Sequence, residues 1–171
     1  MAAKEGEMMK LYMKEKGFSW TDKVTIGNGR EKVRYTVEGE FFSFGKKMHG
    51  YDAGGAEVAF LQEKLLSWMP RYTAQIRGEE AFEIAQKFTV LTQKFDLEGL
   101  PWHVEGDFWG HDYTLSDDLR EVMRIKKHWF TWGDSYELEI ANPEEELVCV
   151  CVVLAIDAAM SEVVHTSGGA T

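Results

Sequence analysis

Along most of this chain apolar and polar side chains alternate, and near the carboxyl end the alternation gives way to an unbroken apolar run. Val33, Tyr35 and Val37 alternate with Arg34, Thr36 and Glu38, and Tyr72, Ala74 and Ile76 with Thr73 and Gln75. Tyr136, Leu138 and Ile140 do the same with Glu137 and Glu139. A period of two puts one set of side chains on a buried face and the other in water, which predicts half-buried β-strands. Between such stretches stand Gly27-Asn28-Gly29, Asp52-Ala53-Gly54-Gly55, Arg77-Gly78-Glu79, Gly99-Leu100-Pro101 and Ser116-Asp117-Asp118. These are turn compositions, so the strands are joined as antiparallel hairpins.

The apolar run, Leu147 to Met160, has one ionisable side chain besides two cysteines, that of Asp157. Asn142-Pro143-Glu144-Glu145-Glu146 ahead of it has the composition of a helix start: an N-cap, a proline where no amide donor is needed, and acids at the positive end of the dipole. The β-branched residues leave a buried strand open as the alternative; cap and length favour a helix. At ~1.5 Å per residue the run is too short for a bilayer core of ~30 Å. A helix apolar on all sides must be enclosed, so Val150, Val153 and Ile156 are expected in the core, and Asp157 is expected to be bonded to backbone or to an aromatic hydroxyl.

A phrase recurs along the strand region: Phe18-Ser19-Trp20, Phe42-Ser43-Phe44, Leu66-Ser67-Trp68 and Phe130-Thr131-Trp132, with weaker copies at Phe88-Thr89-Val90 and Phe108-Trp109-Gly110. The first three are 24 residues apart. Six such units give about twelve strands. Val37-Glu38-Gly39-Glu40-Phe41 also returns as Val104-Glu105-Gly106-Asp107-Phe108, and Ser67-Trp68 with Tyr72 as Thr131-Trp132 with Tyr136, which divides the domain into two similar halves. Closing the sheet removes its edges and leaves a ring wide enough to need a filling. The expected fold is mainly β (α+β): a closed antiparallel barrel of about twelve strands around the hydrophobic C-terminal helix.

Composition adds boundaries. The 171 residues suit one domain, expected over 8–164, with flexible tails at 1–7 and 165–171. Cys149 and Cys151, two apart, fall on opposite sides of a helix and cannot bridge; they read as small buried hydrophobes in a reducing setting. A net charge of -10 argues against nucleic acid as a partner. Residues 1–16 lack a signal-peptide pattern, so a cytoplasmic protein is expected, with peripheral membrane contact open to it.

Val104-Glu105-Gly106-Asp107-Phe108, Gly110-His111-Asp112-Tyr113, Trp132-Gly133-Asp134-Ser135-Tyr136 and Leu154-Ala155-Ile156-Asp157 together resemble the LURP-one-related family, which groups with Tubby C-terminal domains and phospholipid scramblases. The resemblance covers about Met9 to Met160. It implies a Tubby-like twelve-stranded barrel around a C-terminal helix, and no enzymatic activity. Tubby domains bind phosphoinositides through a basic pocket; scramblases are tied to calcium, but this chain has neither their Pro- and Cys-rich leader nor an EF-hand loop.

Candidate chemistry is sparse. Basic pairs recur near the repeated phrases, and Lys46, Lys47, Lys126 and Lys127 are the expected ligand-binding set for an anionic lipid or small ligand, against the plainer reading of a solvated face balanced by glutamates. The stretch from His103 to Asp112 is rich in carboxylates and imidazoles, yet His103 and Glu105 fall on the outward phase of a strand whose inward residues are Trp102 and Val104. No catalytic residue, metal site or cofactor is assigned. Trp20, Phe44, Trp68 and Trp132 share one place in the repeat, either as an aromatic girdle for a ligand or membrane or, the favoured reading, as plugs against the helix. The function expected is a non-enzymatic binding module, with a protein scaffold as the alternative.

Overall fold

A computed structural model of the chain describes residues 8–14, 23–29, 32–40, 44–87, 89, 93–128 and 135–167. The strands are β1 (Met9–Lys14), β2 (Val24–Gly27), β3 (Val33–Gly39), β4 (Lys47–Asp52), β5 (Glu57–Glu63), β6 (Arg71–Ile76), β7 (Glu79–Lys87), β8 (Lys94–Glu98), β9 (His103–Asp107), β10 (Asp112–Ser116), β11 (Glu121–His128) and β12 (Ser135–Ile140). They form one antiparallel sheet in the order β8-β7-β6-β5-β4-β3-β2-β1-β12-β11-β10-β9. Apart from β8 and β9, each strand pairs with its neighbour in sequence, and the first pairs with the last, Met9 opposite Ile140 and Lys14 opposite Ser135. That pairing curls the sheet into a ring. The expected barrel is present, with one seam: β8 and β9 lie side by side, but among the described residues no backbone ladder joins them. Side chains bridge there instead, the rings of Phe95 and Phe108 meeting edge to face at 4.9 Å.

The alternation of the sequence is the alternation of the wall. Leu11 and Met13 of β1, Tyr72 and Ala74 of β6, and Tyr136, Leu138 and Ile140 of β12 point inward and are buried. His103 and Glu105 face water while Trp102 and Val104 are buried. Departures among the described residues include Val33, exposed at the head of its strand, and Glu83, Gln86 and Glu137, which are buried.

A short 3-10 turn, Pro143–Glu145, leads into helix α1, Glu146–Ser167. Asn142 caps it, its side chain accepting from the amide of Glu144 at 3.1 Å. Every residue from Cys149 to Ser161 is buried, including Val150, Val153, Ile156 and Asp157, so the helix is enclosed on all sides as an all-apolar helix requires. The run of β-branched residues is thus helical. The helix continues to Ser167, past the expected domain end at 164. None of the described helices is long and apolar enough to cross a membrane.

Strand direction sorts the connections into two sets. Those at 28–32, 53–56, 77–78, 99–102, 117–120 and 141–145 lie at the end where the helix enters. Those at 15–23, 40–46, 64–70, 88–93, 108–111 and 129–134 lie at the far end, where the helix terminates. Of the recurrent phrase, Phe44, Leu66-Ser67-Trp68, Thr89 and Phe108-Trp109-Gly110 fall in this second set. Phe18-Ser19-Trp20, Phe42-Ser43, Phe88, Val90, Phe130-Thr131-Trp132 and both tips of the chain beyond 8–167 lie outside the described residues.

Candidate functional site

The far mouth of the barrel gathers the polar side chains that the core would otherwise exclude. The helix presents Ser161 and Glu162 to this mouth, and their oxygens, drawn out of water, call for a cation. Lys46, just ahead of β4, supplies one: its Nζ donates to Ser161 Oγ at 2.9 Å and Ala158 O at 3.3 Å, and lies 3.3 Å from Glu162 Oε1. Burial pulls its pKa below the usual lysine value, against the pull of Glu162. The hydroxyl of the buried Tyr72 donates to Glu162 from the opposite side; burial and that carboxylate drive its pKa upward.

One turn earlier on the helix sits Asp157. The Nε2–H of His111 donates to its Oδ1 at 3.1 Å, and the imidazole lies over Tyr136, ring centroids 4.4 Å apart. His111 ends the β9–β10 turn with φ 52, a left-handed conformation that costs a non-glycine residue free energy and fixes its ring toward the helix. The partner of Asp157 is therefore an imidazole, where backbone or an aromatic hydroxyl was expected. Tyr113 is wholly enclosed nearby, and its pKa is raised by burial and then by the charge of Asp157; its hydroxyl and Asp157 Oδ2 find no hydrogen-bond partner among the described residues.

The four lysines of the expected set divide. Lys46 turns into the mouth as described, while Lys47 is on the outer wall, 3.4 Å from Glu40. Lys126 is exposed, opposite Glu137 in the register; Lys127 is opposite Tyr136, and its side chain lies outside the described residues. Both pairs adjoin connections of the far end, but β3, β2, β1 and β12 stand between β4 and β11. Lys46 and Lys47 thus stand at one rim on a different wall from Lys126 and Lys127.

That rim is apolar at its tips. Phe44 is 90 % exposed, Leu66 and Trp68 are fully exposed, and Leu65 and Trp109 about half. Phe44 and Trp68 therefore do not plug the barrel against the helix: the core is already filled from the strands, and the connections carry these side chains outward. Trp20 and Trp132 lie outside the described residues. Leu66 holds φ 69, a strained position for a branched side chain that packs against nothing.

Charge follows the same axis. Among described residues in the far connections and the strand ends flanking them are Lys14, Lys23, Lys46, Lys47, Lys64, Arg71, Lys87 and Lys94 against Glu40, Glu63, Asp107 and Asp112. At the helix-entry end the corresponding set is Lys32, Arg77 and Arg120 against Asp52, Glu57, Glu79, Glu98, Asp117, Asp118, Glu121, Glu144 and Glu145. Several far-end cations are internally paired, Lys64 and Arg71 both with Glu83, Lys87 with Asp96. The excess nonetheless reverses sign from one end to the other.

Three comparisons bear on what this molecule is similar to. The model of a family described as LURP-one-related matches residues 9–157. A Bacillus subtilis (strain 168) protein described as "Uncharacterized protein YxjI" is 37% identical over 150 residues, 88% of this chain and 93% of that one. The X-ray structure of an Arabidopsis thaliana protein, AT5G01750, shares the fold with a TM-score of 0.60 at 13% identity, over 86% of this chain and 89% of that chain.

Proposed function

The chain belongs to the LURP-one-related family, and from that premise and the geometry of its far rim we propose that it is a binding module which docks end-on to an anionic membrane surface. The observation that carries the reading is the set Phe44, Leu66 and Trp68, large apolar side chains held in water at the tips of two connections of one end. Apolar patches of this kind, rimmed by charge, mark interaction surfaces, and aromatic rings suit the boundary between head groups and acyl chains.

The lysine arrangement supports a surface over a pocket. Lys47 and Lys126, on separate outer walls of one rim, can each approach a separate head group of a flat bilayer, whereas a single inositol phosphate would need them converged. The acid-rich opposite end would orient the approach, since the negative end is repelled as the positive end is drawn in.

Vesicle flotation tests the reading with phosphatidylcholine alone and with phosphatidylserine added, each at low and high salt. Binding to the anionic vesicles that weakens with salt is expected. Phe44→Ser, Leu66→Ser and Trp68→Ser combined should abolish it and leave the melting temperature unchanged, because none of the three packs in the free protein. Replacing Lys46, Lys47, Lys126 and Lys127 with Ala should weaken it. Binding that survives both sets, or none to anionic vesicles, ends the proposal; rim-dependent capture of a defined protein in place of vesicles would favour the scaffold alternative.

A further inference from the structure

On the outer wall, away from the rim tips, β1, β2 and the start of β3 enclose a groove of about 220 Å³. Tyr12 and Thr25 are in its floor, Lys14 and Lys32 at its margins, and Val33, 43% exposed, on one side. Tyr12 reaches this face because the strand alternates, Leu11 and Met13 on either side of it being buried. The wall closes over the ring because residue 29 is glycine: with φ +74, a Cβ there would fall 2.6 Å from the Tyr12 ring. The groove is thus a product of the fold's own packing.

Its charge differs from that of the chain as a whole. The chain has 29 acids to 19 Lys and Arg, and neighbouring lysines are taken up by them: Lys10 lies 2.6 Å from Glu137 and 2.9 Å from Glu139, and Lys23 lies 3.2 Å from Glu38. Lys14 and Lys32 have no acidic partner among the described residues. Among the described residues, two cations with no acidic partner stand beside a concavity lined by the Tyr12 ring, whose hydroxyl is bonded to Glu137, and by an exposed valine, a setting suited to an anion with an apolar body.

We propose that this groove binds a small phosphate monoester with an apolar body. A phosphate monoester carries a charge of roughly −1.5 to −2 near neutrality, which two lysines match. The Thr25 hydroxyl can donate to the same oxygens, and Tyr12 and Val33 offer the apolar contact. The volume lies below the roughly 300–1,000 Å³ of sites for drug-sized ligands, so a nucleotide is too large for it. A monoester occurs free in solution or as the head group of a phosphatidate, and both present the same chemistry here.

The test uses full-length protein with two probes: phenyl phosphate followed by amide NMR, and phosphatidylcholine vesicles carrying phosphatidic acid followed by flotation. Saturable shifts at Thr25, Gly27 and Gly29 with phenyl phosphate, larger than those with inorganic phosphate or phenol, are the expected result for a free ligand. Phosphatidate-dependent flotation without a phenyl phosphate response assigns the site to the lipid. In either case Lys14→Gln and Lys32→Gln should each weaken binding about tenfold or more, and Lys94→Gln on β8 should not. All three variants should melt like wild type, since none of these lysines has an ion pair to lose. The inference is overturned by silence of both probes, by shifts confined to other residues, or by binding that Lys14→Gln and Lys32→Gln leave intact.

Discussion

Asp157→Ala tests the one carboxylate placed inside the helix run. Its Oδ1 accepts from His111 at 3.1 Å in a setting where Asp157 is 5% exposed, while Oδ2 has no partner among the described residues. A hydrogen bond to a charged group contributes about 1.5–3 kcal/mol, and an orphaned buried oxygen costs about 1–3 kcal/mol. Alanine loses the first and removes the second, but it also vacates the carboxyl's volume, which adds a cavity cost. The balance is a loss of about 2 kcal/mol, which for a chain of this size lowers the melting temperature by roughly 4–8 °C. A double-mutant cycle isolates the pair: Asp157→Ala, His111→Asn and both together, with Asn chosen because it tolerates the left-handed φ at 111. Urea unfolding followed by tryptophan fluorescence should give a coupling of about 1–2 kcal/mol. If the two changes add to within about 0.5 kcal/mol, or if Asp157→Ala melts like wild type, the pair does not anchor the helix and the account of the mouth is wrong.

Two further predictions follow from titrating groups. Burial works to lower the pKa of His49, but its hydrogen bonds to Glu40 (2.9 Å) and Glu57 (3.3 Å) outweigh that and raise it above 6.5, while the bond to His49 lowers that of Glu40 below 4.5. A raised folded-state value stabilises fully below pH 6.5 and is lost as pH rises through it; the lowered glutamate stabilises above 4.5 and is lost as pH falls through its own value. Chemical unfolding across these ranges should therefore show a decline on the alkaline side that His49→Gln removes; an unchanged decline in that variant would disprove the assignment. Burial, helped by Glu145, pushes the Cys149 thiol up to about 12, and burial alone does the same for Cys151. Neither should react with iodoacetamide in the native protein, and both should in urea; rapid native labelling seen by mass spectrometry would contradict the enclosure of the helix.

Most of the architecture was legible because it is written in periodicity. Tyr136, Leu138 and Ile140 declare a strand by their spacing, and Cys149 to Met160 declare an enclosed helix by having no polar side but Asp157. The repeated phrase was legible as a repeat and misleading as to role. An aromatic after Ser or Thr reads as a core residue, and only the direction of the flanking strands shows that Phe44 and Trp68 sit on an outer tip. The pairing of His111 with Asp157 bridges 46 residues and has no local signature. Likewise Lys46 and Lys47, identical in sequence terms, are separated by the alternation at the head of β4, one drawn in to Ser161 and Glu162 of the helix and the other left on the wall. The open seam between β8 and β9 was hidden for a related reason: Gly99-Leu100-Pro101 has the composition of any hairpin turn, and only the paths of the strands show that no ladder follows it.

The order of the parts along the chain sets a timetable for making this molecule. The first strand is completed by the last, with Lys10 and Glu137 bonded across 127 positions, and the filling comes later still. A ribosome therefore releases every stave before anything exists to close them around, so the nascent chain must remain uncommitted, its inward faces wet, until the helix has been made. A chain broken off ahead of Glu146 would yield no smaller version of this fold, only staves with nothing at their centre.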